Sequence, residues 1–278
     1  MPIKITTLSE NTAAFAGLLA EYGLSVLVET DEANVLLDTG LSISVPHNVE
    51  ALDIDLKKID KIVISHGHHD HTGGLRGVLR KMRKSVDVIG HPDIMTSKYA
   101  KREGFPAGYI GIPFDRRELE HLGANFILTP EPVSISENIT TSGEVPMVSP
   151  YEDIDPHLKV KAGGELVPDE FLDDRALFIR TDEGLVVILG CAHRGIINTL
   201  YHAQELTGEQ RIEMVIGGCH LMGSSEERVW LTIAALKELG VKKVGVSHCT
   251  SLPAAAMMAR EFGENFFFNN AGTRIELE

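Results

Sequence analysis

Residues 65–74 read Ser-His-Gly-His-His-Asp-His-Thr-Gly-Gly, and no other stretch of the chain is as informative. Residues 61–65 at its start have the apolar character of a strand, and the two glycines at its end come just before a helical pattern. The histidines are therefore expected on a tight turn at the end of a strand. An internal position after an apolar strand is typical of a built site rather than of a solvated histidine tract.

Four side chains of this stretch are candidate metal ligands: His66, His68, Asp70 and His71. Strand alternation puts the first two on one side of the chain, and the other two follow as the chain turns. Imidazole and carboxylate groups suit Zn²⁺, Fe²⁺ or Mn²⁺. Because one tetrahedral centre could not easily use four ligands packed so tightly, they predict two divalent metal ions, with zinc as the first choice.

The composition is that of an acidic globular chain. It has 278 residues, of which 43% are hydrophobic and 24% charged, and a net charge of −14. So acidic a chain binds nucleic-acid backbone poorly, and we expect no nucleic-acid partner. Without a signal-peptide pattern or an apolar run of transmembrane length, we expect no membrane partner and a cytoplasmic protein. Three cysteines without a CxxC pair predict no disulfide framework.

The order of the predicted elements favours an α/β fold. Strands dominate the first quarter of the chain and strand–helix alternation follows in the last part, which indicates sheets covered by helices. We expect one domain over residues 1–278. It would carry an insertion near residues 93–124 beside the site, paired strands over Phe126–Ile139, and a long lid-like loop near residues 146–172.

Three later strand-like runs also end on histidine. Ligands collect where strand ends meet at one edge of a sheet, so this pattern is what a metal cleft needs. His193 and His248 are therefore candidate ligands, and His220 is a weaker one. The cysteines beside them are open to two interpretations. Cys191 is either a thiolate ligand or a small buried side chain, whereas Cys219 and Cys249 are expected to be packing residues.

Further polar residues lie close to the predicted site. Asp38 ends a strand, where it either caps a turn or orients a metal-bound histidine. Arg194 and Asn198 follow His193 on the first turn of a predicted helix. That helix start could hold an anion, which agrees with a small anionic substrate.

Together these residues resemble the metallo-β-lactamase superfamily, through His66-x-His68-x-Asp70-His71-x-Gly73-Gly74 and the preceding Asp38-Thr39-Gly40 turn. The resemblance implies a four-layer αββα sandwich, in which two mixed sheets are flanked by helices and a dinuclear site lies between the halves. It implies that one metal is bound by His66, His68 and His193. The second metal would be bound by Asp70, His71 and His248.

Other motifs are similar to one branch of that superfamily, whose members are called dihydropterin–ribofuranosylaminobenzene phosphate synthases or simply metal-dependent hydrolases. They lie at residues 21–25, 142–146, 190–198, 217–221 and 247–250. With this likeness, Glu144 joins Asp38, Arg194 and Asn198 as a residue expected to support the ligands or contact the substrate. The chain departs from many superfamily hydrolases because it has no His-Thr-Pro-Gly turn, and because Cys191 stands where a bridging Asp often follows a strand.

Three functions remain open from the sequence. The first is a hydrolase in which hydroxide held by the metals attacks a carbonyl or phosphoryl centre of a small metabolite, while Asp70 orients the nucleophile and His220 or His248 donates to the leaving group. The second is a transferase that joins a dihydropterin-methyl diphosphate to a ribofuranosylaminobenzene phosphate and releases pyrophosphate. The third is a metal-dependent ligand sensor without turnover. Whether the chain forms a homo-oligomer is left open.

Overall fold

The computed structural model describes residues 2–277 of the chain. The strands in this range are β1 Ile3–Ser9, β2 Ser25–Thr30, β3 Asn34–Leu37, β4 Lys61–Val63, β5 Val86–Gly90, β6 Lys98–Ala100, β7 Gly108–Tyr109, β8 Ala124–Leu128, β9 Ile139–Thr141, β10 Leu158–Ala162, β11 Glu165–Pro168, β12 Ala176–Thr181, β13 Gly184–Leu189, β14 Ile212–Gly218, β15 Lys243–Ser247, β16 Phe266–Phe268 and β17 Arg274–Leu277. The α-helices are α1 Ser44–Ala51, α2 His69–Thr72, α3 Leu75–Met82, α4 Arg116–His121, α5 Ile196–Thr207, α6 Glu226–Glu238 and α7 Leu252–Phe262. No helix in this range has the length and apolarity needed to cross a bilayer.

Two large mixed sheets carry the fold. One has seven strands in the order β17-β1-β2-β3-β4-β5-β8, and the other has six in the order β16-β15-β14-β13-β12-β9. Their facing sides share one apolar core, which contains Val35 and Val63 from the first sheet and Ile188 and Ile216 from the second. This pairing of two sheets is the inner half of a four-layer sandwich.

Helices cover the outer face of each sheet. Helices α1 and α3 pack on the seven-stranded sheet, and α5, α6 and α7 pack on the six-stranded sheet. The all-apolar sequence of β13 reflects burial on both faces: Val186 and Ile188 point into the core between the sheets, whereas Val187 and Leu189 point toward the helices. The layers are therefore helix, sheet, sheet, helix, as the resemblance implied.

The prediction of paired strands over Phe126–Ile139 is correct only in part: Ser134 forms an isolated antiparallel bridge with Thr140, but strands β8 and β9 do not pair with each other. Strand β8 runs parallel to β5 in the seven-stranded sheet, whereas β9 pairs with β12 in the six-stranded sheet. The chain between them crosses from one sheet to the other. Val133 and Ile135 lie on this crossing and pack on the core between the sheets, which explains why the segment looks strand-like in sequence.

The expected insertion and lid form a single small sheet. Its order is β11-β10-β6-β7, so residues 93–124 supply two strands and residues 146–172 supply the other two. The long loop expected at 146–172 therefore needs correction, because a β-hairpin occupies much of it. Gly163 and Gly164 form the hairpin turn with positive φ of 59° and 93°, a conformation that suits glycine. We call this unit the third sheet.

The ends of four strands converge at one place. Strands β13, β14 and β15 are parallel neighbours, so their carboxyl ends lie at the same edge of the six-stranded sheet. Strand β4 brings the histidine-rich turn from the other large sheet to that edge. The predicted ligands all follow these strand ends, and this is why residues far apart in sequence meet.

Candidate metal centre

Three imidazoles form the first trio, which consists of His66, His68 and His193. The Nε2 atom of His66 lies 3.0 Å from Nδ1 of His68 and 3.2 Å from Nε2 of His193. A tetrahedral zinc ion with bonds of about 2.0–2.1 Å would hold its nitrogen ligands about 3.3 Å apart. Burial lowers the pKa of all three histidines, that of His68 to about 3, so the rings are neutral as metal binding requires.

The second trio consists of Asp70, His71 and His248. The Nε2 atoms of the two histidines are 3.2 Å apart. The Oδ2 atom of Asp70 lies 3.2 Å from Nε2 of His248 and 3.9 Å from Nε2 of His71. Although burial opposes ionisation, His71 and His248 hold the pKa of Asp70 well below its usual range. An ionised carboxylate between two imidazoles is a fitting donor set for a divalent cation.

Asp38 connects the two trios. Its Oδ2 atom accepts a hydrogen bond from Nδ1 of His71 at 2.7 Å and another from the Ser65 hydroxyl at 2.6 Å. Because the hydroxyl hydrogen is directed at Asp38, the hydroxyl oxygen accepts a hydrogen bond from Nδ1 of His66 at 2.9 Å. Both histidines are thereby held with Nδ1 donating and Nε2 facing the centre. Burial alone would lower the pKa of His71, but Asp38 and Asp70 raise it to about 9, so a metal ion bound there would displace a proton from Nε2. The structure thus favours the orienting role over the capping role for Asp38.

Cys191 lies between the trios. Its Sγ atom is 3.1 Å from Nε2 of His71, and it falls within 4.8 Å of the ligand atoms of His66 and His71 on one side and of His193 and His220 on the other. The elbows after the strands are strained, because Ala192, His220 and His248 have positive φ of 50°, 45° and 55°. Strain of this kind in non-glycine residues clusters at functional sites.

His220 stands at the rim of the centre. Its ring centroid is 4.2 Å from that of His193, and its Nε2 atom is 3.9 Å from Oδ2 of Asp155. Burial alone would lower the pKa of His220, but Asp155 and Cys249 raise it to about 10. His220 therefore carries a proton at neutral pH, unlike the three imidazoles of the first trio.

Residues beyond the sequence predictions hold His248. Its backbone N–H donates to Oε1 of Glu10 at 2.8 Å, its Nδ1 atom lies 3.0 Å from Oδ1 of Asn11, and the ring of Tyr22 packs against it at 4.9 Å. Glu10 and Asn11 come directly after β1. Their position at a strand end is the same signal that identified the histidines, and it could have found them.

A buried segment after the third sheet supports the first trio. The ring of Phe171 stacks on His193 at 4.0 Å, and Oδ2 of Asp173 accepts from the N–H of Gly67, between His66 and His68, at 2.8 Å. Nζ of Lys98, whose side chain is 1% exposed, donates to the carboxylates of Asp169 at 2.6 Å and Asp173 at 2.9 Å. In sequence these acids look like a solvated loop, and no motif pointed to them.

The prediction that the start of α5 holds an anion from the substrate needs correction. The protein's own Glu152 fills that place, since its carboxylate accepts from the N–H groups of Ile197 at 3.1 Å and Asn198 at 2.7 Å. The side chain of Arg194 donates to the carbonyl groups of Val145 and Glu170. The Asn198 amide oxygen accepts from the backbone N–H groups of residues 148 and 149. Both side chains therefore anchor loops.

Glu144 lies apart from the two trios. Its Oε1 atom is 3.1 Å from Nε2 of His91, a residue at the end of β5 whose Nδ1 atom accepts from the N–H of Asp93. Among the described residues, neither Glu144 nor His91 belongs to a group of converging metal donors. A contact of Glu144 with the ligands is thus not seen, and a contact with substrate stays a prediction.

Two adjoining cavities give access to the centre. The metal cavity, of about 180 Å³, is lined by residues of both trios together with Tyr22, Ile110 and Leu158. The outer cleft, of about 810 Å³, lies between the third sheet and α6 and includes Tyr151 and Arg228. Both cavities are lined by Arg102, Asp155, His220 and Met222. The centre therefore opens into space large enough for a metabolite-sized ligand.

The family model for the metallo-beta-lactamase superfamily matches residues 19–197, which include the histidine-rich turn and both residues of the Cys191–His193 elbow. The chain belongs to the metallo-β-lactamase superfamily. A similar curated protein is the 7,8-dihydropterin-6-methyl-4-(beta-D-ribofuranosyl)-aminobenzene-5'-phosphate synthase of Methanocaldococcus jannaschii. It is 34% identical over 99% of this chain and 96% of its own length.

Solved structures agree with this membership. Tm1679, described as a metal-dependent hydrolase of the beta-lactamase superfamily, has a TM-score of 0.85 and 33% identity over 99% of both chains. The Zn²⁺-bound PqqB of Methylobacterium extorquens has a TM-score of 0.59 and 13% identity over the whole of both chains, so it shows the fold alone.

These comparisons confirm the predicted superfamily and the sandwich of mixed sheets and helices. They also confirm the prediction of an enzyme at the level of the family, because the relatives include a synthase and a metal-dependent hydrolase. Members of the superfamily bind divalent metals, often zinc. The number and identity of the ions in this chain, and the roles of the individual residues, stay predictions.

Proposed function

We propose that this chain is a dinuclear zinc enzyme that hydrolyses a small anionic metabolite at a phosphoryl or carbonyl centre. The observation that carries the proposal is the pair of trios, in each of which the donor atoms lie within 4.8 Å of one another and the closest pairs are 3.0–3.2 Å apart. The donors fit the metal, since imidazole nitrogens, an ionised carboxylate and a cysteine thiolate are groups that bind zinc. His66, His68 and His193 would hold one ion, and Asp70, His71 and His248 the other.

Bound zinc would supply Lewis acidity, which lowers the pKa of water to about 7 and stabilises negative charge on a reacting oxygen. The chain's own groups supply the proton chemistry. Asp70 lines the metal cavity as an ionised carboxylate, so it can accept a hydrogen bond from the attacking water. His220 carries a proton at neutral pH and faces both cavities, so it can donate that proton to the leaving group.

The lining of the cavities supports an anionic substrate with a larger uncharged body. Arg102 is the one lysine or arginine that lines the metal cavity in the described part of the chain. It would attract a phosphate or carboxylate toward the ions. The outer cleft carries acids as well as arginines, with Met222 and Leu231 partly exposed, which suits a neutral ring or sugar.

A second candidate is transfer, supported by the 34% identity to the methanogen synthase over nearly the whole chain. In that reaction the bond between the pterin methylene carbon and a diphosphate oxygen breaks. A bond from the same carbon to the aminobenzene partner forms, the partner loses a proton, and pyrophosphate leaves. The same site would serve both reactions, and the difference would be whether water or the aminobenzene compound attacks.

Metal content is the first test. Zinc-loaded, dialysed protein should contain two zinc ions per chain by mass spectrometry. His68→Ala should lose one of them, because it removes a donor of the first trio. His69→Ala is the matched control, since His69 lies in the same turn and joins no group of converging donors. Less than about one metal per chain would overturn the proposal.

The choice between hydrolysis and transfer can be tested in ¹⁸O-labelled water. A dihydropterin-methyl diphosphate is supplied with and without the ribofuranosylaminobenzene phosphate. Hydrolysis predicts ¹⁸O in the products when the diphosphate is supplied alone. Transfer predicts pyrophosphate and a joined product only when both compounds are present. An intact diphosphate in both mixtures would exclude this compound as a substrate, and p-nitrophenyl esters of phosphate and acetate then test the two reacting centres separately.

A further inference from the structure

Two of the three cysteines, Cys191 and Cys249, lie beside His248 of the second trio. Strands β13 and β15 flank β14, so Cys191 and Cys249 follow neighbouring strand ends on either side of its end. The Cys249 thiol lies 3.6 Å from the carbonyl oxygen of Cys191, and the N–H of His220 donates to its sulfur at 3.3 Å. The ligand atoms of Cys191, His248 and Cys249 all fall within 4.8 Å of one another.

The local backbone favours this position of the Cys249 sulfur. Gly218 is the last residue of β14, and a Cβ atom there would lie 2.6 Å from Sγ of Cys249 and 2.6 Å from the carbonyl oxygen of Gly190. The absence of a side chain at Gly218 therefore makes room for the thiol beside the centre. His248, which shares the elbow, is held by Glu10 and Asn11, so the direction of the chain at Cys249 is also fixed.

We propose that Cys249 joins Cys191, the candidate thiolate of the sequence analysis, as a ligand of the second metal ion, with His248 shared between the two cysteines and the second trio. The proposal rests on the dinuclear centre proposed above and adds sulfur to it. Binding forms one metal–sulfur bond for each cysteine and releases each thiol proton to solvent, without oxidation or reduction. The Cys191 sulfur adjoins His71 and the Cys249 sulfur adjoins His248, so each lies beside one histidine of the second trio.

Cys219 shows what a packing cysteine looks like in the same surroundings. It too is buried beside a strand end, but it belongs to the apolar core under α5, α6 and α7. In the described part of the chain it joins none of the groups of converging donors. The contrast between Cys249 and Cys219 therefore concerns their neighbours rather than their burial, and Cys219→Ser is a matched control.

Thiolate ligation has a consequence for metal choice. Thiolates are soft ligands that favour Zn²⁺ and disfavour Mn²⁺ or Mg²⁺, which prefer oxygen donors. A sulfur-containing second site should therefore discriminate between these ions more strongly than the first trio alone. This discrimination separates the proposal from one in which the thiols only fill space.

The test uses cobalt(II), which takes the place of zinc and absorbs in the near ultraviolet when thiolate binds it. Metal-depleted full-length protein is titrated with cobalt(II), and the sulfur-to-cobalt band is measured per chain. Cys249→Ser and Cys191→Ser should each lose roughly half of the band, and the double variant all of it. Cys219→Ser should keep the full band. A band of wild-type intensity in Cys249→Ser would overturn its ligand role.

A second measurement needs no variant and decides the case if Cys249→Ser does not fold. X-ray absorption at the zinc edge of the wild-type protein should show about two sulfur neighbours per pair of zinc ions at about 2.3 Å, beside nitrogen and oxygen at about 2.0–2.1 Å. About one sulfur per pair would overturn ligation by both cysteines. Two zinc ions per chain without sulfur neighbours would overturn this inference and leave the dinuclear enzyme standing. Protein that binds no zinc or cobalt would overturn both.

Discussion

Oδ2 of Asp38 accepts a hydrogen bond from Nδ1 of His71 at 2.7 Å, with both side chains fully buried. The same oxygen accepts a hydrogen bond from the Ser65 hydroxyl, whose oxygen in turn accepts from Nδ1 of His66, and this sets the tautomer of His66. One carboxylate thus orients a candidate ligand in each trio. Such supporting hydrogen bonds decide how well a metal site is formed before the ion binds.

Asp38→Asn should therefore weaken metal binding without removing a ligand. We expect the affinity for zinc to fall by about 10–100-fold, because the amide carries no charge and holds His71 less firmly. Competition with a coloured chelator measures the affinity for zinc. Asp87→Asn, which changes a carboxylate paired with Lys61 away from the centre, is the control. Equal affinities in the two variants would show that Asp38 does not support the centre.

Lys98→Met should destabilise the fold. It leaves the carboxylates of Asp169 and Asp173 buried without their cation, and breaking a buried pair costs about 3–5 kcal/mol. Urea unfolding measures the loss. Lys161→Met removes an exposed lysine from β10 of the third sheet and should change stability by less than about 0.5 kcal/mol. Similar values for both variants would contradict the prediction.

The buried carboxyl group of Asp174 should make the free energy of unfolding depend on pH. Burial raises its pKa to about 7, and its Oδ1 atom has no hydrogen-bond partner. The unfolded pKa is about 3.9, so the folded state holds the proton more tightly and stability falls as pH rises from about 4 to about 7. Asp174→Asn should lose this contribution. Unfolding at pH 5 and pH 8, with chelator present, should show a smaller pH difference in the variant; an equal difference would refute it.

Glu152→Gln should weaken the start of α5. The carboxylate accepts from two N–H groups there and pairs with Arg228 at 3.2 Å, so loss of its charge should cost about 1–2 kcal/mol. Thermal unfolding measures this. Glu227→Gln, a change of an exposed acid on the first turn of α6, is the comparison. A rise in activity toward anionic substrates in Glu152→Gln would instead favour the anion-binding role first expected of this helix start.

The strand ends were predictable because they depend on local sequence. Apolar runs followed by His66, His193 and His248 identify both the sheets and the edge where their ends meet. The residues that hold these ligands in place were harder to predict from the sequence. Phe171 and Asp173 reach the first trio across long sequence separations, from a segment whose acids look solvated until the buried Lys98 is placed beside them. Pairing of β10 with β6 likewise depends on contacts that no local pattern encodes.

Arg194 and Asn198 illustrate a different limit. Their position after His193 correctly suggested a helix start near the centre, but a helix start attracts any nearby carboxylate. Glu152, more than forty residues earlier in the chain, supplies one. The sequence therefore revealed that the position favours negative charge, while the source of that charge depended on the tertiary fold.

The third sheet lines the metal cavity but contributes no residue to either trio. Its four strands pair only with one another, and none of them carries a residue of either trio. Yet Leu158 on β10, and Arg102 and Ile110 on the chain beside β6 and β7, line the metal cavity. Lys98 of β6 is the exception, because its buried amine holds two aspartates behind the first trio. Elsewhere in this sheet, substitutions can diversify what reaches the ions while the two large sheets preserve what holds them, so that selectivity and reactivity can evolve on separate parts of one chain.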